Sequence, residues 1–254
     1  MATIRKPYQG VLNIVRFNWP FYVFASLLIL IIFFIRISMP QPSWLTAANS
    51  ALVIFILTTL ATLIVSFYVY DVSGIYALNW LNIPISSNGT LLHVHAGFDE
   101  FTEVIHTRFP GNKITVCDFY DEKKHTEASI KRARAMYPPA SNIIKVNTYK
   151  LPFDDAAFEG IILFFAAHEI RNENERIQFF TEISRVAKPD GKILVMEHLR
   201  NLPNFMAYNI GFLHFFSNKN WMNCFAQAGL NVVAKANKTS FVTIYTLTPN
   251  GNSN

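Results

Sequence analysis

Leu151-Pro-Phe-Asp-Asp-Ala-Ala-Phe-Glu-Gly-Ile-Ile-Leu163, followed by Ile183-Ser-Arg-Val-Ala-Lys-Pro-Asp-Gly-Lys-Ile-Leu-Val-Met-Glu197, decides the fold. Phe158 to Phe165 is an apolar run of strand length. Glu173 to Ala187 carries the periodicity of an amphipathic helix, and Lys192 to Met196 is a second buried strand behind a Pro-Asp-Gly turn. A strand, a helix, a tight turn and a strand make one unit of a parallel sheet.

The same alternation continues on both sides. Leu91 to His95, Lys113 to Cys117 and Ile143 to Val146 read as strands, separated by helices that end near Thr107 and Met136. Strands joined through helices require a parallel sheet with right-handed crossovers. Leu230 to Ala236 and Phe241 to Leu247 are separated by a short turn, so they should pair antiparallel. The expectation is a doubly wound, Rossmann-like α/β domain over residues 90–254 that closes with a hairpin.

The front of the chain is different. Phe21 to Ile35 is almost wholly apolar, and Ala47 to Tyr70 carries no charge; both reach or approach spanning length. Met39-Pro-Gln-Pro42 between them cannot continue a helix. Residues 1–72 are therefore expected to form a membrane anchor with two transmembrane helices. Arg5, Lys6 and Arg16 precede the first span, which places the N-terminus and the folded domain on the cytoplasmic side. Residues 73–89 are expected to form an interfacial linker, and the overlapping segment Asp71–Leu81 suits either the membrane interface or packing on the domain. The net charge of +5 is scattered without a Lys/Arg-rich block, which argues against nucleic acid and for a surface near membrane lipid. Cys117 and Cys224 lack metal-ligand or disulfide-framework spacing.

Leu151–Glu159 and Glu182–Lys192, in this order and spacing, resemble the class I S-adenosylmethionine-dependent methyltransferases, in the branch that includes the ubiquinone and menaquinone methyltransferases. The resemblance implies S-adenosylmethionine as cofactor. It implies that Asp118, ending the second strand, takes the ribose hydroxyls, and that Asn147 and Thr148 stand beside the adenine. Where the family has an acidic residue and three glycines, this chain reads His93-Val-His95-Ala-Gly97-Phe-Asp99 and keeps the middle glycine alone. His95, Gly97 and Asp99 are the first-loop candidates, with Asp99 or Glu100 able to meet the cofactor's positive charge or to serve a helix start.

His93 and His95 face one side of a strand, as two metal-ligating imidazoles can, but no later set of ligands completes a site, so no metal is expected. His168 and Glu169, in the loop after the fourth strand, are the candidate bases. Glu197 and His198 after the fifth strand, and Tyr208 and His214 in the aromatic segment Leu202–Phe216, are the candidate substrate contacts. The function expected is methyl transfer to a lipophilic or membrane-associated small molecule. The alternative is a non-catalytic, methyltransferase-like binding or scaffolding protein on the membrane.

Overall fold

The computed structural model describes residues 5–38, 42–140 and 142–251. Of the expected helix-breaking stretch at residues 39–42, residues 39–41 lie outside the described residues and Pro42 opens the helix that follows. An N-terminal helix α1 (Gln9–Phe17) leads into α2 (Trp19–Ser38) and α3 (Pro42–Phe67). Both α2 and the helix running on from Trp44 are long and apolar enough to cross a membrane. Their large side chains point outward: Phe24 is 64% exposed, Phe34 66% and Ile64 63%.

A seven-stranded sheet follows. Its strands are β1 (Thr90–His95), β2 (Lys113–Asp118), β3 (Ile144–Lys145), β4 (Phe158–Phe164), β5 (Ala187–His198), β6 (Leu230–Thr239) and β7 (Val242–Pro249). The spatial order is β3-β2-β1-β4-β5-β7-β6, parallel throughout except for β7, which runs antiparallel to both neighbours. The helices between strands are α4 (Thr102–Arg108), α5 (Ala128–Met136), α6 (Glu173–Val186), α7 (Leu202–Tyr208) and α8 (Asn218–Gln227). The expected Rossmann-like sheet and terminal hairpin are both present.

β5 is longer than the sequence suggests. Ala187 already pairs with Phe158, and the ladder resumes at Lys192 opposite Gly160. Lys188 to Gly191 are displaced from the pairing as a bulge, a fitting place for Pro189, which has no N–H to give a ladder.

Alternate strand residues divide between two cores, as a period of two dictates. Leu92, Ile161, Leu163, Ile193 and Val195 face Phe179, Phe180, Trp221 and Phe225 of α6 and α8. Leu91, Ile162, Phe164, Leu194 and Met196 face Ile105 of α4 and three residues of the connecting segment, Ile75, Leu78 and Leu81. These three are at most 2% exposed, and each such burial stabilises by about 1.5–3 kcal/mol. Of the two readings of the segment, packing on the domain is the one seen. It follows α3 without a break, through a π-helical turn at Tyr68–Val72 and a 3-10 turn at Ile75–Ala77.

The two signature stretches that announce the fold are bonded together. Arg185 donates to the carbonyls of Leu151 and Phe153 and to the carboxylates of Asp155 and Glu182, while Glu182 also accepts from the Leu151 N–H. The helix before β5 thereby fixes the loop that enters β4.

α1 was absent from the sequence reading. Tyr8 before it gives no side-chain cap. The capping acceptor is distant: Asp71, in the π-helical turn, receives the N–H groups of Gly10 and Val11 at 2.7 and 2.8 Å. Gly10 permits this approach, since a Cβ there would stand 2.4 Å from the Tyr70 Cβ.

Candidate functional site

In a doubly wound sheet, ligands bind at the carboxyl ends of the strands where the order reverses. Here that point lies between β1 and β4, and the loops after β1, β2, β4 and β5 converge on it.

Asp118 ends β2 with its side chain fully buried. Its Oδ1 accepts from the Tyr120 N–H, and its Oδ2 accepts from Arg134 Nη1 at 2.9 Å and from Lys145. Burial pushes its pKa up, but Lys145, His95 and these hydrogen bonds outweigh that and hold it below the usual carboxylate range. Arg134 Nη1 also donates to the Gly97 carbonyl, and its guanidinium lies 4.3 Å from the centre of the Tyr120 ring. Gly97 has φ +89°, a conformation that favours glycine, and a Cβ there would meet the Tyr120 ring at 2.9 Å.

Beside Asp118 lies a cavity of about 330 Å³, lined by Phe119, Tyr120, His125, Lys145, Asn147 and Thr148 among others. Asn147 turns its amide oxygen toward the N–H groups of Tyr149 and Lys150, so that oxygen serves the turn and is not free for an adenine amine. Thr148 donates to Glu175. Tyr120, His125, Arg134 and Lys145 were missed from sequence. Tyr120 alone had a local signal, standing two residues beyond Asp118.

The remaining first-loop candidates are tied down. Asp99 Oδ1 accepts from the N–H groups of Phe101 and Thr102 and faces His93 Nε2 at 3.2 Å. Of its two expected roles it takes the helix start. Burial alone would raise its pKa, yet His93 and the hydrogen bonds hold it far below the ordinary range. Glu100 receives Arg5 at 2.8 Å and the Tyr76 hydroxyl at 2.7 Å, and so anchors the N-terminal segment. His95 accepts the Gly97 N–H at Nδ1, while its buried Nε2 has no partner. Burial lowers its pKa to about 4. Among the described residues, His93 and His95 do not converge on a third ligand.

Across the cleft, His168 sits on the 3-10 turn Ala167–Glu169. Its Nδ1 lies 2.6 Å from Glu197 Oε2, and its N–H donates to the other oxygen of the same carboxylate. Burial pulls its pKa down, but Glu197 and Glu169 prevail and raise it to about 10. Its carboxylate neighbours favour the protonated imidazole, which donates rather than accepts. Glu169 is ionised, its pKa brought to about 2 because His168 and His214 outweigh the effect of burial. Glu197 is fully buried and reaches the cleft only through His168.

His198 and Tyr208, expected to contact substrate, are enclosed by aromatic and backbone partners. The His198 ring stacks between Phe165 and Phe215, with Nδ1 at 2.9 Å from the Phe241 carbonyl and Nε2 at 2.7 Å from the Tyr70 hydroxyl. Burial lowers its pKa to about 4. Tyr208 packs edge-on against His198. His214 stays on the cleft side, its ring 4.9 Å from that of His168.

Residues 92–195 match the family model described as a methyltransferase domain. That span runs from β1 into β5 and takes in the switch point of the sheet. The strand order is that of the Rossmann-like methyltransferase fold. Over 127 residues the chain is 30% identical to the ubiquinone/menaquinone biosynthesis C-methyltransferase UbiE of Geotalea daltonii, covering 50% of this chain and 52% of that protein. The chain thus spans about half the length of the curated relative it matches. Among solved structures, human N-acetylserotonin methyltransferase superposes with a TM-score of 0.50 at 17% identity, over 77% of this chain and 55% of that one. An O-methyltransferase family 2 protein from Planctomyces limnophilus gives 0.50 at 14%, over 75% and 61%. Both likenesses concern the fold of the methyltransferase domain.

The residues around β2 fit the adenosine end of S-adenosylmethionine: the buried Asp118 carboxylate stands beside a cavity walled by Phe119 and Tyr120, and Gly97 holds a backbone conformation that favours glycine. At the ribose end, Arg134 and Lys145 hold Asp118 in this conformation.

Proposed function

We propose that the chain is a membrane-anchored, S-adenosylmethionine-dependent methyltransferase acting on a lipophilic small molecule. The observation that carries this reading is the continuity between α3 and the acceptor side of the cleft. Thr62 of α3 donates to the Ala207 carbonyl of α7 at 2.7 Å. Beyond this contact α7 and the 3-10 turn Asn209–His214 present Leu202, Met206 and Ile210 at 64–74% exposure. An apolar surface so placed, flush with a helix of spanning length, suits the headgroup boundary of a bilayer. Membrane lipid is thus a partner, and an acceptor dissolved in the bilayer would enter beneath this surface.

The cofactor supplies an activated methyl group. Asp118 would receive the ribose hydroxyls after Arg134 and Lys145 turn aside, Gly97 would allow the methionine portion to approach, and Tyr120 and Phe119 would flank the base. At the acceptor end, Glu169 is the ionised carboxylate that faces the cleft, and His168, held by Glu197, is the positive neighbour able to stabilise a developing oxyanion. Alignment of acceptor and methyl group accounts for most of the rate in such a transfer.

The test is methyl incorporation from labelled S-adenosylmethionine by protein in lipid nanodiscs, with prenylated phenols and quinols compared against their unprenylated counterparts. Labelling confined to the prenylated acceptors is expected; equal labelling of both would remove the lipophilic substrate. The engagement of Asp118 favours a second reading, a binding module without catalysis. Calorimetric titration decides between them, because no heat with millimolar S-adenosylmethionine would leave the non-catalytic reading standing.

A further inference from the structure

His168, Glu169 and His214 are brought together from two separate parts of the chain, and their ligating atoms all lie within 4.8 Å of one another. Both histidines are oriented in the same way. The Nδ1 of His168 faces Glu197 at 2.6 Å, and the Nδ1 of His214 faces Glu127 at 2.8 Å. Both Nε2 atoms then point at one oxygen, Glu169 Oε1, at 3.4 and 3.9 Å. A carboxylate on the far nitrogen of an imidazole is the arrangement that fixes the tautomer and aims the other nitrogen's lone pair at a metal ion. It occurs here twice around one point.

We propose that His168, Glu169 and His214 form a divalent-metal site at the rim of the cleft, with a donor set that suits Zn²⁺. Bonds of about 2.0–2.2 Å in tetrahedral geometry separate ligand atoms by about 3.3 Å; the two spacings to Glu169 are already 3.4 and 3.9 Å, and the histidine pair closes from within 4.8 Å. Two imidazoles and a carboxylate favour zinc over magnesium or calcium, which prefer oxygen alone. The frame is already built: Arg171 Nη1 donates to the carbonyls of both His168 and His214, at 3.2 and 2.6 Å, and so ties the two ligand-bearing segments together.

Three protein ligands leave a fourth position open, the mark of a site that takes water or a substrate oxygen. Such an ion would polarise an acceptor hydroxyl at the cleft; that use rests on the methyl-transfer reading, while the site itself does not. The methyltransferase fold reading placed no metal here, and the His93–His95 pair that first suggested one is elsewhere.

The experiment uses untagged, full-length protein in detergent, stripped with chelator, re-equilibrated with Zn²⁺ and dialysed, with zinc measured by elemental analysis. A stoichiometric equivalent is expected in the wild type. His214→Ala and Glu169→Gln should fall to background, and Glu197→Gln, which removes only the orienting carboxylate, should weaken affinity about 10–100-fold. Co²⁺ in place of Zn²⁺ should give the intense visible bands of a tetrahedral site, lost in His214→Ala. Wild-type protein holding no more zinc than His214→Ala overturns the proposal, and so does zinc retained in full by Glu169→Gln. His214 lies in a half-exposed turn, so its variant keeps the test alive if substitutions at His168 fail to fold. Calorimetry with S-adenosylmethionine on the same samples separates loss of the metal site from loss of the cofactor reading.

Discussion

The Tyr70 hydroxyl lies 2.7 Å from His198 Nε2, joining the end of the long apolar helix to the last residue of β5. His198 gives its Nδ1 proton to the Phe241 carbonyl, so Nε2 accepts and Tyr70 donates. Tyr70→Phe would leave a buried acceptor without a partner, which costs about 1–3 kcal/mol. The expected result is a lower unfolding temperature of the whole domain in nanodiscs, not a local loosening of the anchor. An unchanged temperature would mean that the bond contributes nothing.

Two histidines give the metal-free protein opposite pH limbs. The folded pKa of His198 is lowered to about 4 by burial, below the ordinary 6.5. Its contribution to stability is therefore lost as pH falls from about 6.5 toward 4. The folded pKa of His168 is raised to about 10, so its contribution is full below pH 6.5 and lost as pH rises toward 10. Stability should peak near pH 6.5. Glu197→Gln should flatten the alkaline limb and spare the acid one, as read from unfolding temperatures across a pH series.

Cofactor affinity should move in opposite directions at the two ends of one ion pair. Asp118→Ala removes a charged acceptor and should weaken S-adenosylmethionine binding by about tenfold or more, the effect of losing a charge-assisted hydrogen bond. Arg134→Ala removes one of that carboxylate's two cationic partners and should tighten binding. Calorimetric titration checks both. Weaker binding in Arg134→Ala would assign the guanidinium to the ligand instead.

Gly97→Ala meets two obstacles, a φ of +89° and the Tyr120 ring 2.9 Å from the new methyl group. Alanine at such a backbone position destabilises by more than about 1 kcal/mol. Urea denaturation should show the loss, and Tyr120→Ala should relieve only the steric part.

The sheet was legible because burying both faces makes each central strand a near-continuous apolar run, and Leu91–Val94 and Ile161–Phe164 carry such runs openly. The layer supplied by Ile75, Leu78 and Leu81 was not, since a membrane interface and a protein core reward the same apolar pattern. α1 escaped notice because its cap, Asp71, lies 61 residues away from Gly10. The site divides along the same line. Asp118 could be read from its place at the end of a strand, whereas Arg134 and Lys145 reach it across 16 and 27 residues. His168 was found by position, but its protonation depends on Glu197, 29 residues on, which no local pattern reveals.

The unbroken passage from α3 through Tyr68–Val72 into the second core has a mechanical consequence. A catalytic head on a leash sweeps a volume and meets whatever drifts into it. Here the same turns end the mast and begin the deck, so the cleft would ride at one height and one tilt above the bilayer. On the proposed function, selection among acceptors would then include a ruler: a molecule would qualify by how far its reactive atom stands from its greasy tail.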